Sequence, residues 1–193
     1  AGYIRTGFEC YSLPDDPMTK AFREGTAHYG ASGHQTGGKV NFVAVGSSSK
    51  GNLGDDYYSQ SYYDLSSYKK CLDKGELPTF RGMKLSKDDK IRQHATQQLR
   101  SYFRIDFKQF EKNFKINPKE YFGKEIEYLG EMIKDGLVIL SNDGIEMTEL
   151  GRDFSQNITN MFDIYDPPTK SYNERLETIE KAKSDQAKVQ ELI

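Results

Sequence analysis

Tryptophan is absent from this 193-residue chain, histidine occurs three times, and cysteine only twice, at positions 10 and 71. Two distant cysteines exclude a disulfide framework and any local multi-cysteine metal knuckle, so no metal site is expected and a reducing cytoplasm is the default setting. An excess of either charge is missing as well: 27 basic and 29 acidic side chains leave a formal net charge of -2. No overall field exists to draw in nucleic acid or an anionic membrane. The longest apolar stretches, Asn41 to Val45 and Leu137 to Leu140, fall far below the roughly 20 residues that a membrane helix needs. The opening Ala1-Gly2-Tyr3-Ile4 lacks the basic and apolar segments of a secretory leader and lacks Met, and it reads as a start inside a longer protein. The length suits one ordinary domain, or a small domain with attachments.

What is present changes character near residue 80. Eight of the 17 glycines lie between Gly25 and Gly54, so the first part reads as short strands and loops and the second as helices. Residues 3 to 11 alternate and predict a strand. Asp16 before Pro17 predicts a capped helix to about Glu24. Val40 to Val45 is continuously apolar, which predicts a strand buried on both faces, as in a parallel sheet. The tyrosine-rich stretch that follows predicts a helix from Ser61 to Lys74, stopped at Gly75.

Beyond Leu85 helical periodicity takes over. Ser86 caps a helix with Ile91, Ala95, Leu99, Tyr102 and Phe103 as its apolar stripe. Phe107, Phe110 and Phe114 mark a second helix, and Phe122, Ile126, Leu129 and Ile133 a third, from Asn117-Pro118 to Gly136. Leu137 to Leu140, the turn Ser141 to Gly144, and Ile145 to Thr148 form a hairpin with an Asp-Gly turn. Three helices and a hairpin give the order of a winged-helix module. A closing helix to about Tyr165 follows, and beyond Pro167-Pro168 a charged tail helix spans about 171 to 191. The presumed recognition helix carries Lys119, Lys124 and Lys134 against Glu120, Glu125, Glu127, Glu131 and Asp135, which repels phosphate and argues against DNA binding.

Chemistry is less legible from spacing. Cys10, His28 and His34 have neither tight spacing nor a fourth ligand. Gly46 to Gly54 resembles a phosphate-cradling loop only loosely, without the Gly-Lys-Ser/Thr ending. The residues alone therefore point to an α+β chain: a strand-and-loop portion of an α/β enzyme joined to a mostly helical winged-helix-like domain.

At Arg81-Gly82-Met83-Lys84-Leu85-Ser86-Lys87-Asp88-Asp89-Lys90-Ile91-Arg92 the sequence resembles the pattern R-G-x-x-L-[ST]-x-D-D-x-I-R of the oxygen-independent coproporphyrinogen III oxidases, radical S-adenosylmethionine enzymes of haem biosynthesis. The likeness continues through Tyr121-Phe122, Asp135-Gly136-Leu137-Val138, Thr148, Gly151-Arg152 and Met161-Phe162-Asp163. Upstream it includes Gly2-Tyr3-Ile4, Thr6-Gly7, Leu13-Pro14-Asp15-Asp16 and Gly54-Asp55. The resemblance implies the end of a radical S-adenosylmethionine partial barrel over 1–58, a connecting helix and linker over 59–84, the family's C-terminal domain over 85–165, and a tail over 166–193.

The resemblance also implies a parent protein whose C-x-x-x-C-x-x-C loop binds a [4Fe-4S] cluster. With S-adenosylmethionine that cluster generates the radical that turns propionate side chains into vinyl groups. No such motif occurs in these 193 residues, so the chain alone is expected to hold no cluster and to be inactive. Its partners would be a tetrapyrrole, the N-terminal half of the barrel and an electron donor, with no nucleic acid or membrane. Family positions imply Gly46, Ser48, Ser49 and Lys50 on the cofactor side, and Glu9 and Cys10 on the substrate side. Arg92 is either a propionate partner or a pair to Asp88 one helical turn away. The family reads [MF]-D-H-F-A where this chain has Phe8-Glu9-Cys10-Tyr11-Ser12, and an apolar residue where it has Lys50. These departures leave open a paralogue that modifies or handles haem, and a non-catalytic winged-helix interaction module also stays open.

Overall fold

A computed structural model describes residues 2–30, 33–38, 40–54 and 56–165. The expected tail helix lies outside the described residues.

Two short strands, β1 (Ile4–Arg5) and β2 (Tyr11–Ser12), pair antiparallel where one long strand was expected. The chain reverses between them through Gly7 at φ 136° and Glu9 at φ 53°. Helix α1 (Pro17–Glu24) forms as its cap foretells: the Asp16 carboxylate accepts from the Met18 amide at 2.7 Å, and Gly25 ends the helix at φ 73°. A hairpin of β3 (His28–Gly30) and β4 (Gly33–Gln35) follows. Next, β5 (Lys50–Leu53), β6 (Tyr57–Ser61) and β7 (Thr79–Lys84) make an antiparallel sheet in that order. Helix α2 (Leu65–Asp73) lies between the last two strands. Residue 58, where the sequence reading set a boundary, lies inside β6, whose Tyr57 to Gln60 pair with both neighbours before a bulge between Gln60 and Ser61.

Val40 to Val45 corrects an expectation. Instead of a strand buried on both faces, the segment makes a single antiparallel bridge, Phe42 to Asn52, and leaves Val43 and Val45 85% and 88% exposed. Among the described residues no strand pairs along its other edge, so only Phe42 and Ala44 are partly covered and the valines stay exposed.

The principal apolar core lies wholly between Ile91 and Phe162. Helix α3 (Lys87–Tyr102) starts at a capping box in which Ser86 and Asp89 each satisfy the other's backbone amide. It ends at Phe103, a left-handed residue at φ 60° that is 1% exposed. That conformation costs a bulky side chain about 1 kcal/mol or more, and burial of the ring in the core offsets it. Strand β8 (Arg104–Asp106), not foreseen from the sequence, joins β10 (Gly144–Met147) and β9 (Val138–Leu140) in the order β8-β10-β9. Ile105, Ile145 and Met147 face the core while Glu146 faces out, the period of a one-sided sheet.

Helix α4 (Phe107–Phe114) agrees with the sequence pattern, but the expected third helix is three short ones: α5 (Pro118–Tyr121), α6 (Gly123–Tyr128) and α7 (Gly130–Lys134). The breaks fall at Phe122 and Leu129, both essentially fully buried, each followed by a glycine. Glycine weakens a continuous helix by about 1 kcal/mol relative to alanine, and the breaks turn both apolar side chains inward. The closing helix is likewise shorter than expected, a 3-10 turn Gly151–Phe154 followed by α8 (Ser155–Asn160).

The N-terminal elements rest on α3 and on the turn before α8. The Phe8 amide donates to the Arg100 carbonyl at 2.9 Å, and the Tyr102 hydroxyl donates to the Ala27 carbonyl at 2.7 Å. Arg5 bridges to Asp153 at 2.7 Å and donates to the Arg152 carbonyl at 2.8 Å.

Candidate functional site

Helix α3 has two faces with different tasks. Ile91, Ala95 and Leu99 enter the core, while Lys90, Gln93, His94, Gln97 and Gln98 recur at helical spacing on a polar face. That polar face forms one wall of a cleft of about 780 Å³; β3, Val40, Phe42, β5 and Tyr58 line it from the N-terminal elements, and Arg104, Asp106, Gln109 and Phe114 from the helical region.

Gln97 ties the walls together. Oriented by its neighbours, its carboxamide oxygen accepts from the Tyr29 amide at 2.9 Å and His28 Nδ1 at 2.8 Å, and its nitrogen donates to the Tyr29 carbonyl at 2.6 Å. It thus serves as a ladder partner for β3 from a helix. Arg100 lies over the Tyr29 ring at 4.9 Å.

Charge in the cleft is one-sided. Lys50, Lys90, Arg100 and Arg104 line it, and Asp106 is the only carboxylate among the described lining residues. Asp106 is engaged as the cap of α4, accepting from the Gln109 amide at 2.9 Å. Lys90 is bonded to Asp56, and Arg100 donates to Gln156 at 3.3 Å. Phe42, Tyr58, Tyr102 and Phe114 supply aromatic surface beside these cations.

The structure does not gather the seven sequence-derived site residues at one point. Glu9 and Cys10 sit in the tight β1–β2 reversal, where the Thr6 hydroxyl donates to Cys10 Sγ at 3.4 Å. Gly46, Ser48 and Ser49 form the turn before β5, and their polar groups are used locally. The Gly46 amide donates to the Tyr68 hydroxyl at 3.0 Å, the Ser48 amide to the Tyr62 carbonyl at 2.8 Å, and the Ser49 and Ser61 hydroxyls share a bond at 3.0 Å. Lys50 alone among the seven lines the cleft.

Arg92 points away from the cleft into an ionic network. Its Nε donates to Asp88 at 2.8 Å and its Nη1 to Glu125 at 2.6 Å and to the Phe162 carbonyl at 3.4 Å. Burial opposes its charge, but the two carboxylates outweigh that effect and hold the guanidinium above its ordinary range. Tyr121, bonded to the same Asp88, is pushed up to about 12 by burial and by that carboxylate. The pairing to Asp88 read from the sequence is therefore present, reinforced by a Glu125 that the spacing did not reveal.

His34 lies outside the cleft. Its Nε2 donates to the Phe8 carbonyl at 2.8 Å while Nδ1 is buried without a partner. Burial pulls its titration below the usual value, against the bond to Phe8. The ring presses on Gly7, where a Cβ would lie 2.2 Å from it. Cys10 and Cys71 are free and belong to different elements, and among the described residues no group of three or more His, Cys, Asp or Glu converges as metal ligands. The donor set of this chain thus does not fit an iron–sulfur cluster, which needs several thiolates around one centre. Among the described residues no helix is long and apolar enough to cross a membrane.

The cleft escaped the sequence reading because that reading followed only the apolar stripe of α3. The polar residues at 90, 93, 94, 97 and 98 carried the signal.

Comparison with known proteins gives this geometry a context. Residues 85–154 match the HemN C-terminal domain. The oxygen-independent coproporphyrinogen III oxidase of Pseudomonas aeruginosa is 35% identical over 167 residues, which cover 86% of this chain and 36% of that protein. The enzyme of the same name from Escherichia coli K12 is 33% identical over 165 residues, with the same shares covered. In three dimensions the chain resembles the solved coproporphyrinogen III oxidase (HemN) of Escherichia coli, described as a radical SAM enzyme. The TM-score is 0.79 at 32% identity, over 85% of this chain and 38% of that one. The chain thus spans little more than a third of the length of the curated relatives it matches.

Proposed function

We infer that the chain, whose residues 85–154 match the HemN C-terminal domain, is the C-terminal portion of an oxygen-independent coproporphyrinogen III oxidase-type protein and that its cleft takes a tetrapyrrole carboxylate substrate. The whole protein would be an oxidoreductase that converts propionate side chains to vinyl groups, each losing carbon dioxide, a hydrogen atom and an electron. The observation that carries this reading is the cleft itself. About 780 Å³ of space, walled by aromatic rings and cations with one engaged carboxylate, suits a large flat ligand with anionic edges.

On this reading the helical region, winged-helix-like in its order of elements, covers the substrate. The end of a catalytic barrel supplies Lys50 and the turn before it. The [4Fe-4S] cluster and S-adenosylmethionine belong to the rest of the protein, since the cysteines here do not fit a cluster. This chain's own share is to bind, orient and shield the tetrapyrrole, and by itself it turns nothing over. The remaining barrel half and an electron donor are the partners required, and the cytoplasm is the compartment that suits them.

A second reading rests on a specific observation: the cleft presents Lys50 where the family has an apolar residue, so the substrate can be a different tetrapyrrole handled by a paralogue. An anaerobic assay of the full-length protein with coproporphyrinogen III, following protoporphyrinogen, separates the two. Vinyl product supports the oxidase. Cleavage of S-adenosylmethionine without vinyl product supports the paralogue, and absence of both from a protein lacking C-x-x-x-C-x-x-C overturns the radical-enzyme reading.

A further inference from the structure

We propose that Lys50 and Arg104 bind carboxylates of the ligand directly, which makes Lys50 a substrate-specificity residue rather than a cofactor contact. This rests on the tetrapyrrole reading above. Of the four cations among the described residues that line the cleft, Lys90 and Arg100 are held by Asp56, Gln156 and Tyr29. Lys50 and Arg104 are exposed and have no ion pair among the described residues. Asp106, the single carboxylate among the described lining residues, is engaged at the start of α4.

The sheet explains why Lys50 is left without an acceptor. Lys50, Gln60 and Arg81 are directly opposed across β5, β6 and β7, and opposed residues of an antiparallel ladder share a face. Gln60 is 3% exposed, and its carbonyl oxygen already takes Arg81 Nε at 2.9 Å, Arg81 Nη2 at 2.7 Å and the Tyr63 hydroxyl at 3.0 Å. What Gln60 turns toward the turn before β5 is its NH₂ group, which donates to the Ser48 carbonyl at 3.4 Å. A donor beside a cation offers it nothing, and an oxygen with three donors has no lone pair to spare. The row therefore leaves Lys50 no free acceptor on Gln60, its partner across the ladder. Arg104 reaches the same cleft from β8, on a different element, so two separated cations meet two separated anionic groups. A macrocycle with carboxylates spaced around its rim has that shape.

The test titrates the 193-residue chain with coproporphyrin III and with the uncharged tetra-amide of the same porphyrin, following the Soret band at low salt. K50Q and R104Q should each weaken the tetracarboxylate about fivefold, as loss of one exposed charge contact does, and leave the tetra-amide unchanged; K50R should bind as the wild type does. Equal losses for both porphyrins, or none, overturn the assignment while the tetrapyrrole reading stands. A wild-type chain that binds neither porphyrin overturns both. Circular dichroism of the variants, whose altered side chains are exposed, verifies that binding is compared between folded proteins.

Discussion

Replacing Arg92 with methionine isolates the worth of the ionic network beneath α3. The Arg92 side chain is 16% exposed and that of Glu125 is 9% exposed, against 40% for Asp88. R92M keeps an apolar chain over the Tyr121 and Phe122 rings but leaves Glu125 charged, buried and without its counter-ion. Removing one partner of a fully buried pair costs roughly 3–5 kcal/mol. The residual solvent here brings the expectation to about 3 kcal/mol, to which the solvated Asp88 adds at most a few tenths. For a chain of this size that lowers the melting temperature by about 10 °C. Urea and thermal denaturation at pH 7 measure it. The double variant R92M/E125M removes the stranded carboxylate and should recover at least half of the loss. A single variant within about 1 kcal/mol of wild type, or a double variant no more stable than the single, refutes the reasoning.

Three further outcomes are open to measurement. Because burial lowers the titration of His34 from its ordinary 6.5, the folded state takes up its proton less readily than the unfolded one. Stability is therefore complete above that value and declines as pH falls from 6.5 toward the lowered value; this slope should vanish in H34Q, and a wild-type profile flat from pH 7 to 5 contradicts it. Gly151 has no room for a side chain, since a Cβ would lie 1.8 Å from the Leu137 carbonyl oxygen, so G151A should cost about 3 kcal/mol in urea denaturation, whereas G123A, in open space, should not destabilise. S86A removes half of the capping box of α3 and should cost about 1 kcal/mol, with amide exchange rising first at Asp88 to Lys90.

Signals carried by neighbouring residues were legible in the sequence. Asp16-Pro17, Ser86 with Asp89, and the Asp-Gly turn at 143–144 fix local hydrogen bonds, and each element forms where its punctuation stands. Failures came where a distant element decides. The run from Val40 to Val45 is apolar enough for a buried strand, yet burial requires a partner strand, and among the described residues its one backbone bridge is to Asn52. Residues 118–134 hold helical periodicity, but Phe122 and Leu129 are pulled into a core built by α3, α4 and the sheet. The cleft was harder still. Its residues come from five separate stretches of chain, and among the predicted site residues only Lys50 reaches it, while Cys10, Gly46, Ser48, Ser49 and Arg92 have partners elsewhere and Glu9 sits in the β1–β2 reversal.

The two faces of α3 have a consequence for how the chain comes to be folded. The core from Ile91 to Phe162 contains no residue from the first half, so that region carries its own driving force for collapse. The earlier strands bury little besides small and polar groups and lean on Arg100, Tyr102 and Gln97 for their register. During synthesis residues 2–30 therefore leave the ribosome before the helix that holds their register exists. Their contacts to Gln97, Arg100 and Tyr102 form only once α3 emerges and packs.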